Sequence, residues 1–255
     1  MSTTAAPDRR PPVPRRSIRP RRVLLVDDYA DIRAILSLAL SRRGCAVTTA
    51  ESAEEALQIV EERMRRTGPD ERPILALDLI ILDIMLPDAS GLELLRSLQR
   101  EYAGLPPIMI ISARSDPETI GDALRLSAAD YLPKPIDLEL FLHKVDSLLG
   151  EEERAPFHWA RLREREEVTV GAFGTGATAL SESGLIVELP RGTGPSRGEV
   201  VPLESPLLDR VGLPRGTHGR VVRVVRLGGQ TMLELTFIGL SQRELAKIRR
   251  FSLSH

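Results

Sequence analysis

The 255-residue chain is poor in cysteine, poor in aromatic residues and nearly neutral. A single cysteine, Cys45, excludes a disulfide framework and a thiolate metal cluster, and a reducing, cytoplasmic setting is the simplest expectation. Phe, Trp and Tyr make up 4% of the residues, too few for a platform that stacks single-stranded nucleic acid. Acids and bases nearly cancel, 36 against 35, so no global field draws the chain to a polyanion or a membrane. No apolar run reaches transmembrane length and the N-terminus has no signal-peptide core, so membrane insertion is not expected. The four histidines, His143, His158, His218 and His255, are scattered and suggest no metal site.

What is present falls into four stretches. Residues 1–21 are rich in Pro and Arg, with Arg9, Arg10, Arg15, Arg16, Arg19 and Arg21 against the single acid Asp8. Such a tail lacks the apolar groups to fold alone and is expected to be disordered, contact with an anionic surface being the alternative. Residues 22–150 alternate short apolar runs with helical periodicity. "VLLV" (23–26), "AVTT" (46–49), "DLIILDI" (78–84), "PIMIIS" (107–112) and "DYL" (130–132) read as strands. Between them, Ile32, Ile35, Leu36, Ala39 and Leu40 recur at helical spacing before Gly44. Ser52 and Glu55 form a capping box, and Leu92, Leu94, Leu95 and Leu98 mark a third helix. Asp116 with Pro117 opens a fourth helix, and Asp137 opens a fifth that stops at Gly150. Five strands alternating with five helices predict a doubly wound α/β fold with a five-stranded parallel sheet, flavodoxin-like in class.

In such a sheet the carboxyl ends of the strands share one edge, where ligands gather. Asp27 and Asp28 end the first strand and Asp83 ends the third, so three carboxylates converge. Like charges this close repel unless a cation joins them, and oxygen-only ligands select a hard ion such as Mg²⁺. Ser112 ends the fourth strand and Lys134 follows the fifth. The set suits a carboxylate nucleophile, a metal and two groups that grip a transferred phosphoryl. Each piece alone reads equally as a turn or a loop, and the joint placement carries the signal.

The pieces "VLLVDD", "LDLIILDIMLPDASGLELL", "PIMIISARSD" and "ADYLPKP" resemble the receiver domain of two-component response regulators across residues 22–150. The resemblance implies Asp83 as phosphoacceptor, with a histidine kinase or phosphotransfer protein as donor. It implies Mg²⁺ held by Asp28 directly, by Asp27 through water, by Asp83 and by the backbone carbonyl of Met85. Ser112 and Lys134 would hold the phosphoryl group, Tyr131 would move inward with Ser112, and the Lys134–Pro135 bond would be cis. Gly91 would fit the turn before the third helix. The connection "RTGPDERPILAL" is longer than such domains usually have.

Residues 151–160 are charged, carry a proline and read as a linker. From 161 to 255 the pattern becomes all-β, with runs "EEVTVGAF", "GLIVEL", "GRVVRVVRL" and "TMLELTFIGL", then the capping box Ser241–Glu244 and a C-terminal helix. "GAFGTGAT" (171–178) is no phosphate loop, since no Lys-Ser/Thr follows and no helix starts there. "RLRER" places Arg161 and Arg165 before the first of these strands. Planar Arg forks suit phosphate or a guanine edge, while an exposed charged linker is the alternative reading. Together with "ALSESGLIVEL" and the closing helix, the order resembles a PilZ domain, a small β-barrel with a C-terminal helix that in many members binds cyclic di-GMP. Arg161 and Arg165 match its first motif. Ser181 and Gly184 match its second, where Ala179 stands in place of the leading acid or amide. Two outputs follow from this resemblance: a cyclic di-GMP response, or a degenerate barrel acting through a downstream protein. A second copy of the chain is a further candidate partner. DNA binding fits poorly, because no helix-turn-helix follows the first domain, and a multi-turnover enzyme lacks its acid pair, triad or metal cluster in the β domain.

Overall fold

The computed structural model describes residues 19–65, 74–102, 104–150, 159–190, 192–227 and 229–253. The expected tail over 1–18 and linker over 151–158 lie outside the described residues. Five parallel strands, β1 (Arg21–Val26), β2 (Cys45–Ala50), β5 (Leu79–Asp83), β6 (Ile108–Ser112) and β7 (Asp130–Pro133), form one sheet in the order β2-β1-β5-β6-β7. The helices are α1 (Ala30–Arg42), α2 (Ala53–Glu62), α3 (Gly91–Glu101), α4 (Pro117–Arg125) and α5 (Leu138–Leu148). The doubly wound expectation and its five strands are met. β1 starts earlier than the apolar run suggests, because Arg21 and Arg22 pair with Cys45 and Ala46 of β2 and the Asp78 carboxylate accepts the Arg22 N–H at 2.8 Å. The basic character of 19–22 therefore belongs partly to the sheet edge.

The period-2 alternation of the strands sorts their side chains onto two faces. Val23, Leu25, Leu79, Ile81, Met109 and Ile111 pack with Leu36 and Leu40 of α1 and Phe141 and Val145 of α5. Leu24, Val26, Ile80, Leu82, Ile108 and Ile110 pack with α2, α3 and α4 through Val60, Leu95 and Ala123. Ile35 shares the helical spacing but lies on the outer side of α1, 58% exposed. The long connection after α2 contains a short antiparallel pair, β3 (Met64–Arg65) with β4 (Ile74–Leu75), which the sequence pattern did not announce.

The second domain is a closed antiparallel barrel of six strands in the order β10-β13-β12-β11-β8-β9. They are β8 (Ala160–Val170), β9 (Phe173–Leu180), β10 (Gly184–Pro190), β11 (Val200–Glu204), β12 (His218–Leu227) and β13 (Gln230–Ile238). A short helix α6 (Pro206–Val211) and the terminal helix α7 (Gln242–Leu253) complete it. "GAFGTGAT" is thus mostly strand β9; glycine obscures β9, Pro202 obscures β11, and a helix of six residues such as α6 leaves no periodicity. Ser205 caps α6 ahead of Pro206, and Ser241 with Glu244 forms the expected box at α7. None of the described helices is long and apolar enough to cross a membrane.

The barrel packs on the edge strand β7 and on α4 and α5. The amide of Gly239 donates to the Tyr131 carbonyl at 2.9 Å, and Ile238 joins the core cluster around Tyr131 and Ala123. His143 on α5 lies in this region, and burial, with the Lys144 and Arg220 charges working the same way against Asp130, pulls its imidazole down to about 4. A base held neutral in the folded chain and protonated in the unfolded one costs stability on acidification. Stability is expected to fall between pH 6.5 and pH 4, at up to about 1.4 kcal/mol per pH unit. His143→Gln should flatten that part of the curve in urea unfolding at graded pH, and an unchanged slope would refute the assignment. A second expectation concerns Gly184, where an added Cβ would lie 1.6 Å from the Leu235 carbonyl oxygen of β13. Gly184→Ala should cost the barrel about 1–3 kcal/mol through forced backbone displacement, read as a lower melting midpoint by circular dichroism.

Candidate functional site

Four of the five strands, β1, β5, β6 and β7, deliver polar groups to the same edge, because each apolar run ends where the chain leaves the sheet. Asp27 and Asp83 are buried there and Asp28 is exposed beside them. Carboxylate oxygens of all three lie within 4.8 Å of one another, forming the one such acidic cluster found among the described residues. The Lys134 ammonium bridges two of them, 2.8 Å from Asp27 Oδ2 and 2.5 Å from Asp83 Oδ2. Its other neighbour is the ring of Tyr29, whose centroid is 5.3 Å away. The Lys134–Pro135 bond is cis, as the resemblance implied.

The electrostatics follow from burial. Burial pushes the Asp83 carboxyl above the ordinary range, opposed by the bonds from Lys134 and the Met85 amide and aided by the Asp27 charge. Burial pulls the Lys134 ammonium down, and its bonds to Asp27 and Asp83 outweigh this and hold it above its usual value. Three carboxylates against one ammonium leave a net negative charge in a partly dry cleft. That donor set is all oxygen and fits a divalent cation such as Mg²⁺.

Local backbone devices fix the loops around the cleft. The Asp27 carboxylate accepts the Tyr29 N–H at 2.9 Å, and the Asp83 carboxylate accepts the Met85 N–H at 3.0 Å. Met85 follows β5, 52% exposed, and bridges to Ser90 across the loop. Ser90 and Glu93 form a capping box that opens α3. An added Cβ on Gly91 would lie 2.0 Å from the Asp83 carbonyl oxygen, so glycine stands here for close approach to the site rather than for a turn angle. Asp88 reaches across the same loop and caps α2, accepting the amides of Ala53 at 2.9 Å and Glu54 at 2.8 Å. The sequence signal for this was available in "PDAS", but its target helix was not.

Ser112 is fully buried at the end of β6, and its hydroxyl accepts the Arg114 N–H at 3.2 Å. Tyr131 is also fully buried, and its hydroxyl donates to the Arg114 carbonyl at 2.6 Å. Burial raises the Tyr131 phenol to about 12, so it stays a donor throughout the physiological range. Ser112 and Tyr131 are therefore joined through the two faces of one peptide segment.

The barrel motif residues are brought near one another and largely engaged elsewhere. Arg161 and Arg165 lie within β8 rather than before it. The register shifts between Arg161, paired with Ala179, and Glu166, paired with Ala177, so the intervening residues form a bulge. Arg161 is exposed beside Ala179, while Arg165 lies over Gly176 and forms an ion pair with Glu188 of β10. Ser181 is buried, its hydroxyl accepting the amides of Ser183 and Gly184 at 3.2 Å each and meeting the Ser183 hydroxyl at 2.7 Å. Glu182 is held by both ends of the Arg249 guanidinium from α7, at 2.7 and 2.5 Å. The serine and glycine of "SESG" thus build the β9–β10 turn, and its acid docks the terminal helix.

Comparison with known proteins agrees with the first domain. Residues 23–146 match the response regulator receiver domain family. The transcriptional regulatory protein AfsQ1 of Streptomyces coelicolor is 34% identical over 132 residues, 52% of this chain and 52% of that protein. The response regulator MprA of Mycolicibacterium vanbaalenii is 35% identical over 130 residues, 51% of each chain. The DNA-binding transcriptional regulator NtrC of Proteus hauseri is 34% identical over 137 residues, 54% of this chain and 25% of that one. The matched stretch spans about half of the first two relatives and a quarter of the third. With the five-stranded parallel sheet, the acidic cluster and this match in place, residues 23–146 are a response regulator receiver domain.

Proposed function

We propose that the chain is a phosphorylation-switched response regulator in which Asp83 accepts a phosphoryl group from a histidine kinase or phosphotransfer protein. The observation that carries this is the buried Asp83 carboxylate held 2.5 Å from Lys134 in a cleft with Asp27 and Asp28. Asp83 supplies the attacking oxygen: its O–P bond forms as the donor's N–P bond breaks, and the donor's imidazole departs as the neutral, singly protonated ring. Lys134 faces the charge carried by the phosphoryl oxygens, and the Ser112 hydroxyl, which only accepts from the Arg114 amide, donates its proton to one of them. Asp27, Asp28, Asp83 and the Met85 carbonyl would hold Mg²⁺, which when bound offsets charge on the same oxygens. The chain modifies itself and is not a multi-turnover enzyme.

The barrel is the output, PilZ-like in its six closed strands and terminal helix. Two readings of it remain in play, and a specific observation favours each. Arg161, exposed and paired with Ala179 two residues before Ser181, supports an answer to cyclic di-GMP. The engagement of Arg165 by Glu188, of Ser181 by its own turn and of Glu182 by Arg249 supports output through a downstream protein instead. The loss of one buried polar contact at Ala179 would cost about 1–3 kcal/mol, up to about a hundredfold in affinity.

Asp83→Asn should abolish labelling by acetyl phosphate, and chelation of Mg²⁺ should do the same to the unaltered chain. Undiminished labelling of the variant would sink the phosphoacceptor assignment. Isothermal titration of the full chain with cyclic di-GMP separates the two outputs. Binding at tens of micromolar that Arg161→Ala removes would support the nucleotide response, and no heat with either chain would leave the protein-contact output.

A further inference from the structure

The contact between the two domains contains a buried charge network that the phosphorylation chemistry does not use. The Asp130 carboxylate, fully buried at the start of β7, meets the Lys144 ammonium of α5 at 2.7 Å and the Arg220 guanidinium of barrel strand β12 at 3.4 Å. Lys144, 2% exposed, also donates to the Phe237 carbonyl of β13 at 2.6 Å. Asp130 further accepts the Tyr131 N–H at 2.8 Å, and the Tyr131 carbonyl accepts the Gly239 N–H at 2.9 Å. The backbone of Tyr131 is thus held on one side by a carboxylate that the barrel's arginine neutralises and on the other by a barrel amide. Ile120 of α4 covers Gly239, where an added Cβ would lie 2.8 Å from the Ile120 Cδ1.

The side chain of the same residue is tied to the phosphorylation site. Tyr131 is wholly inside and bonded to the Arg114 carbonyl, while the Arg114 amide is bonded to Ser112. An inward Tyr131 is what the movement of Ser112 toward a phosphoryl group would favour, and it is already inward with the barrel docked. Two events that favour one conformation of a shared element must assist each other by the same factor.

We propose that the barrel is an intramolecular ligand of the β7, α4 and α5 face, and that its docking and phosphorylation of Asp83 stabilise the same receiver conformation. This rests on the assignment of Asp83 as phosphoacceptor. While the barrel is docked, the face is closed to a second copy of the chain, and phosphorylation tightens the closure rather than releasing it.

The test uses the full chain with beryllofluoride and Mg²⁺ as the phosphoryl mimic. Its affinity is read by fluorine NMR, and docking is read by small-angle scattering. Arg220→Glu, which sets a second carboxylate against Asp130, should expand the chain and weaken beryllofluoride binding by about fivefold or more. Ile120→Arg, outside the barrel, should act in the same direction and serves if Arg220→Glu fails to fold. Beryllofluoride should leave the unaltered chain as compact as before or more so. Expansion of the unaltered chain on adding beryllofluoride would overturn the proposal. So would an expanded variant whose beryllofluoride affinity is unchanged or stronger, or a variant that stays compact. Failure of the unaltered, compact chain to take up beryllofluoride at all would instead defeat the phosphoacceptor assignment, and the coupling with it.

Discussion

Two buried aspartates share one ammonium, and the arrangement of the first domain follows from keeping them together. Asp27 and Asp83 sit at the ends of neighbouring strands β1 and β5, so the sheet order itself sets their separation. Lys134 must reach both from beyond β7, two strands away from β5, which requires the loop after β7 to fold back over the sheet edge. Two carboxylates with one ammonium remain negative, and the exposed Asp28 adds to the imbalance. That uncompensated negative charge suits the cleft to a divalent cation, which a neutral pair would not attract. Gly91 and Asp88 serve the same end at a distance, one by letting the loop approach the Asp83 carbonyl and the other by pinning that loop to α2.

The receiver half was open to reading because its signals are local. A strand that is apolar throughout and ends in a polar residue places that residue at the sheet edge whatever its neighbours are, and β1, β5, β6 and β7 together place five groups there. Asp27, Asp28, Asp83, Ser112 and Lys134 were found in this way and lie together. The caps at Ser52, Asp116 and Asp137 were equally local, although Glu55 turns to the Glu51 amide instead of completing its box on Ser52. Partners distant in sequence were not readable: nothing in "PDAS" shows that Asp88 caps a helix thirty-odd residues earlier, and nothing in "ADYL" shows where the Asp130 charge is neutralised.

The barrel shows the opposite relation between motif and structure. Its short motifs were legible as text, and the structure has ordinary uses for most of their residues. Gly184 is demanded by the approach of β13, and Ser181 closes its own hairpin turn. Glu182 holds α7. A serine and a glycine that a hairpin needs anyway carry little information about a ligand, so their presence weighs less than the matching letters suggest. Arg161 is different, since it stands exposed, paired with Ala179 at the edge of the bulge, and takes no part in the turn that Ser181 and Gly184 build. The Gly-rich β9 and the Pro-bearing β11 are not evident in the sequence because a closed barrel defines strands by pairing, which composition does not reveal.

The boundary between the two halves is held by charge as well as by apolar contact, and this has a consequence for how firmly it closes. Two cations share the single Asp130 carboxylate in a region where burial depresses both Lys144 and Arg220. Such a network is costly to desolvate and regains that cost only when every partner is present, so it adds little net stability while strongly penalising misplacement. An interface of apolar side chains alone would close permanently and tolerate sliding. One built around Asp130 fixes the register of β13 against β7 and stays near balance. A state change of a few kcal/mol at Tyr131 is then enough to shift the domain equilibrium, which a wholly apolar seam would absorb without moving.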